Sequence, residues 1–146
     1  MQAAYTMQPP RITAKEFSIR LIVMCLSGTG TGFPKKQRDR FILLNSALQS
    51  LEEGRPFSEL EINEALKKWL RDVGRRLEID HVTLGRSLVD DGYLARDANG
   101  TTYRVCREGR GQVEFEAGVE ALDMVALLDS AELEIAARRA REFIRH

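Results

Sequence analysis

The side chains in this 146-residue chain best suited to chemistry are arginines, not nucleophiles. Arg75 and Arg76 stand side by side. Arg86 follows in a segment that also holds His81, Thr83 and Ser87, and Arg96 and Arg104 flank the sequence D-A-N-G. A guanidinium presents a planar fork of donors that fits phosphate oxygens and base edges, and short hydroxyl side chains add further donors. These eight residues suit recognition of a polyanion rather than bond-making, and they are the candidate contacts for DNA.

Other constellations lead nowhere. The stretch G-T-G-T-G precedes Phe33-Pro34 and two lysines. A phosphate-binding loop would instead end in Gly-Lys-Ser/Thr at a helix start, and a dinucleotide loop would need a preceding strand and G-x-G-x-x-G. The stretch reads as a flexible linker. His81 has no second His, Cys or acidic residue at ligand spacing, and His146 is the last residue, so no metal site is expected. Glu61, Glu64 and Asp72 read as capping and solvated-face residues. Without a Ser/His/acid set the chain is expected not to be an enzyme and to need no cofactor. Cys25 and Cys106 read as buried free thiols in a reducing compartment.

Composition sets a limit on the DNA reading. Lys plus Arg and Asp plus Glu both number 22, so the formal net charge is zero. Residues 35–105 hold 13 basic and 12 acidic side chains, a net of +1. Strong non-specific DNA binding depends on phosphate neutralisation and usually leaves a larger basic excess. The longest apolar run, at 21–26, is six residues, far short of a bilayer span, and the first ten residues lack the order of a signal peptide. A cytoplasmic location and no membrane contact are expected.

The elements that position these residues are marked by caps and periodicity. Residues 1–11, with Pro9 and Pro10, read as a flexible lead-in. Thr13 and Glu16 have capping-box spacing, Phe17, Leu21, Met24 and Cys25 share a face, and Gly28 closes that helix. Phe41, Leu44, Leu48 and Leu51 mark a second helix within 35–51. Ser58 and Glu61 form another capping box ahead of Ile62, Ala65, Leu66, Trp69 and Leu70, with Trp69 as a core anchor. Asp80 caps a helix over 80–91 that ends at Gly92. Asn99-Gly100 signals a two-residue hairpin turn between short strands, since both residue types tolerate positive φ. V-E-F-E alternates like one more strand. Val119, Leu122 and Ala126 mark a helix, and Asp129 or Ser130 is expected to cap another, whose stripe is Leu133, Ala136, Ala137, Ala140 and Ile144. That last helix suits subunit pairing or folding back on its own domain.

The strings F-P-K-K-Q-R-D-R-F-I-L-L, G-R-P-F-S-E-L-E-I-N-E-A-L and D-H-V-T-L-G-R-S-L-V-D-D-G-Y-L-A-R-D-A-N-G-T-T-Y-R-V are similar to the bacterial domain of unknown function 2087. The similarity covers about 21–105. That family occurs alone or fused behind helix-turn-helix regulators of the ArsR type. The resemblance implies a winged-helix-like fold and a link to transcription, and it brings no site residues. One departure is Gly85-Arg86, where the family usually shows a pair of arginines.

The expected fold is mainly α with a small β-hairpin wing, an α+β class. A winged helix-turn-helix core at 33–106 lies between an N-terminal helix and Gly-rich linker at 12–32 and a strand and helical extension at 107–146. The expected function is a DNA-binding transcriptional regulator. The alternative is a winged-helix module that binds protein or dimerises without DNA, for which the last helix offers the surface.

Overall fold

The computed structural model describes residues 8–145; the expectations for residues 1–7 and His146 lie outside the described residues. In chain order the elements are β1 (Arg11–Ile12), α1 (Ala14–Ser27), α2 (Gln37–Ala47), β2 (Phe57–Ser58), α3 (Glu59–Asp72), α4 (His81–Asp90), β3 (Leu94–Arg96), β4 (Thr102–Val105), β5 (Glu114–Phe115), a 3-10 turn (Ala117–Ala121) and α5 (Met124–Arg145). The expected mixture of helices with a small antiparallel sheet is present.

Three helices start where the sequence places a capping side chain. Thr13 Oγ1 accepts from the Glu16 N–H at 3.1 Å, and Asp80 Oδ1 accepts from the Thr83 N–H at 2.7 Å. At α3 the box is reciprocal: Ser58 Oγ accepts from Glu61 N–H, and the Glu61 carboxylate accepts from Ser58 N–H at 3.0 Å. At α1 only half the box forms, because Glu16 turns its carboxylate to Arg38. Helix α2 has no side-chain cap and is fixed by tertiary contacts instead. Arg20 donates twice to Asp39, both at 2.9 Å, and Arg38 donates to both Glu16 oxygens. The end of α4 is a Schellman motif. Tyr93 N–H donates to Leu88 C=O, Gly92 N–H donates to Val89 C=O, and Gly92 takes φ +82°.

The core is one continuous cluster. Phe17, Leu21 and Cys25 of α1, Ile42 and Leu44 of α2 with Leu48 just after it, Leu66 and Trp69 of α3, Leu84 and Leu88 of α4, and Leu128 of α5 are all buried in it. The sheet that closes it has strand order β2-β4-β3, antiparallel throughout, with Phe57 opposite Tyr103 and Leu94 opposite Val105.

Several expectations are corrected. Arg11 belongs to a strand, not to a loose lead-in, because β1 pairs in parallel with β5. The β3–β4 turn is longer than two residues. Asp97 N–H donates to Thr102 C=O, Gly100 alone has positive φ, and the Asn99 side chain accepts from the Thr101 N–H. Asp129 and Ser130 cap nothing, since α5 runs unbroken for 22 residues from an Asp123 side chain that accepts from Ala126 N–H. Cys25 is buried as expected, but Cys106 is exposed.

Candidate functional site

Helix α4 buries Leu84 and Leu88, and at 100° per residue the opposite face centres on Arg86. Val82, Thr83, Val89 and Asp90 complete that solvent face. Arg86 makes no ion pair among the described residues. Ser87 lies on the flank and is half-buried, so it is a weaker candidate contact than Thr83.

On the other flank a groove of about 530 Å³ runs between the start of α3, α4 and the hairpin. His81, Arg86 and Arg96 line it together with Glu59, Asp90, Asn63 and Tyr103, over an apolar floor of Ile62, Val82, Gly85, Val89 and Leu94. Strand register explains the position of Arg96. It lies opposite Tyr103 across the ladder, so both side chains share one sheet face. Arg96 donates to the Tyr103 hydroxyl at 2.9 Å, and its guanidinium carbon sits 5.4 Å from the ring centroid. No carboxylate among the described residues lies within ion-pair distance of it, although Glu59 and Asp90 line the same groove. Gly85 leaves room in the groove wall, since a Cβ there would meet nothing nearer than Leu66 at 3.5 Å. Close packing therefore does not require the glycine.

The remaining candidates lie elsewhere. Arg75 bridges to α5, with Asp129 at 2.8 Å and Glu132 at 2.9 Å, and also donates to Asp72 C=O. Its hydrogen bond to Asp129 raises its pKa further, so its charge is engaged within the chain. Arg76 is exposed, and its backbone N–H donates to Cys25 C=O at the end of α1. Arg104 alternates to the sheet face opposite Tyr103, where it donates to Asp97 at 3.2 Å and Gly54 C=O at 3.3 Å. The structure thus gathers His81, Arg86 and Arg96, sets Thr83 on the adjoining face, and separates Arg75, Arg76 and Arg104 from them.

Tyr103, Asn63 and the two valines were not among the sequence candidates. Period-two alternation in T-T-Y-R-V was the signal available for Tyr103, since it sets Tyr103 and Arg104 on opposite faces. Outside the groove, burial pushes the Cys25 thiol up to about 12, which makes it inert at neutral pH. Among the described residues no three His, Cys, Asp or Glu side chains are grouped to hold a metal ion. No described helix is long and apolar enough to cross a membrane.

A family model described as "uncharacterized protein conserved in bacteria (DUF2087)" matches residues 31–105. The match begins after α1, later than the resemblance read from residue 21, and covers α2 to β4, including the whole groove. No curated protein and no solved structure matches the chain.

Proposed function

The chain belongs to the DUF2087 family, and on that premise we propose that it is a DNA-binding transcriptional regulator of winged-helix type. The order α2, β2, α3, α4, β3, β4 with sheet order β2-β4-β3 supports this reading. A winged helix arranges a first helix, a short strand, a helix-turn-helix pair and a closing hairpin in that order. Helix α4 then takes the recognition position, its solvent face toward the major groove, and the β3–β4 hairpin takes the wing.

One observation carries the proposal. Arg86 at the centre of the α4 face and Arg96 on the adjacent hairpin are both free of carboxylate partners among the described residues, whereas Arg20, Arg38, Arg40, Arg75 and Arg104 are paired. Arg86 and Thr83 reach base edges or phosphates, Arg96 tracks the backbone, and His81 adds a donor from the groove wall. Arg75 holds α5 instead.

The test is fluorescence anisotropy of a labelled mixed-sequence duplex at low and at physiological salt. Affinity should fall steeply with salt, and the Arg86→Ala/Arg96→Ala double variant should reduce the logarithmic salt slope by about 2. No binding at low salt contradicts the proposal.

The second reading, a winged-helix module that docks on protein, is favoured by Val82 and Val89. They are 54% and 39% exposed on either side of Arg86, with Asp90 on the same face. In that case Val82→Asp would abolish partner binding, and Arg86→Ala would have the smaller effect.

A further inference from the structure

The last helix carries an apolar seam that the described residues do not cover. In α5 the inward side is set by buried Leu128 with half-buried Leu127, Ala131 and Ile135. Ala126, Ser130, Leu133, Ala137, Ala140 and Ile144 recur at alternating spacings of four and three, all are exposed, and they lie on the opposite face. Leu133 is 72% exposed, Ile144 81% and the adjacent Phe143 83%. Docking on α1 uses the inward side, so the seam faces away from the body.

We infer that this seam pairs with the same seam of a second copy, as an antiparallel helix pair over Leu133 to Ile144. Spacings of four and three are those of a coiled-coil seam, whose flanking positions choose orientation by charge. Here one flank carries Arg141 and Glu134, which also has the exposed Arg138 guanidinium 3.7 Å away one turn on, and the other carries Asp129, Ala136 and Phe143. An antiparallel pair joins like flanks. Glu134 then meets Arg141 of the second copy, twice by symmetry, and Phe143 covers the small Ala136. Leu133 meets Ile144 of the second copy at each end, and Ala137 meets Ala140 at the centre, where small side chains let the backbones approach. A parallel pair would join unlike flanks, setting Arg141 against Ala136 and Glu134 against Asp129, whose carboxylate Arg75 already holds, so neither flank residue gains an opposite charge. A register shifted to centre nearer residue 135 would set Glu134 against its own copy. Charge therefore selects both the direction and the register. The seam is about 18 Å long at 1.5 Å per residue, and the antiparallel direction leaves the two bodies at opposite ends.

Sedimentation equilibrium of the full chain over a wide concentration range tests this. Wild type should show a monomer–dimer equilibrium, and Leu133→Glu should be monomeric throughout. Leu133 is exposed, so the fold survives, and circular dichroism checks that it does. Glu134→Arg and Arg141→Glu should each weaken the dimer roughly tenfold, two symmetry-related pairs turning from attraction to repulsion. The combined Glu134→Arg/Arg141→Glu variant should recover wild-type affinity. A monomer at every concentration, or a dimer indifferent to Leu133→Glu, overturns the pairing. Single reversals without effect, or a double variant that fails to recover, overturn the antiparallel register.

Discussion

The α1–α2 seam and the α4–hairpin groove use arginine in opposite ways. Across the seam every arginine meets a carboxylate: Arg20 grips Asp39, which is only 6% exposed, and Arg38 grips Glu16. These pairs orient two helices whose own capping is incomplete. In the groove Arg86 and Arg96 face solvent, and among the described residues the only hydrogen-bond partner of either side chain is the neutral Tyr103. The same residue type builds structure where a carboxylate waits for it and remains available for a ligand where none does. Formal charge therefore misleads here. A chain of zero net charge can still present unpaired guanidinium groups, although Glu59 and Asp90 line the same groove.

The largest expected effect is on the seam. Arg20→Ala leaves the buried Asp39 carboxylate unpaired and should cost about 2–3 kcal/mol in a urea unfolding experiment. Arg86→Ala, the matching truncation in the groove, should change stability by less than about 0.5 kcal/mol. Equal losses at the two sites would erase the distinction.

Gly85→Ala comes next. The glycine is helical, its site has room for a methyl group, and the exchange should add about 0.5–1 kcal/mol to stability. Tyr93→Phe should be neutral or stabilise by up to about 1 kcal/mol, because the buried hydroxyl has no hydrogen-bond partner among the described residues. The smallest effect is the acid response of the seam. The Arg38 hydrogen bond holds the Glu16 carboxyl below its usual 4.5. A carboxylate depressed on folding contributes its stability fully above that value and loses it as pH falls through the folded-state value. The pair is partly exposed, so the loss should be a few tenths of a kcal/mol. An Arg38→Ala variant should show a correspondingly flatter stability profile below pH 4.5.

Elements whose cause is local were legible in the sequence. Helices α1, α3 and α4 announce themselves by Thr13, Ser58 and Asp80, each accepting from the residue three positions on. Elements whose cause is distant were not. Strand β2 exists because Phe57 pairs with Tyr103, and β1 because Arg11 pairs with Glu114, and neither dipeptide has a pattern of its own. Asp129 has the right chemistry for a cap, but Arg75 engages its carboxylate and packing against α1 carries the helix through it. The turn at Asn99-Gly100 opened beyond two residues because the Asp97 and Asn99 side chains bond locally to Thr102 and Thr101.

The same division runs through the candidate contacts. All eight were visible as residue types, but which arginines are engaged was not. Among the described residues Arg75 and Arg104 meet carboxylates, and Arg76, Arg86 and Arg96 do not, as a result of helix and strand packing that sequence spacing does not reveal.

The most direct test compares two truncations that each remove one positive charge and differ only in place. Duplex binding at low salt is measured for Arg86→Ala and for Arg75→Ala, each checked for folding by circular dichroism. The proposed function predicts that Arg86→Ala weakens binding roughly tenfold or more, while Arg75→Ala leaves it within about twofold because that guanidinium is held by Asp129 and Glu132. Equal loss in both variants, or no loss in Arg86→Ala, would contradict it.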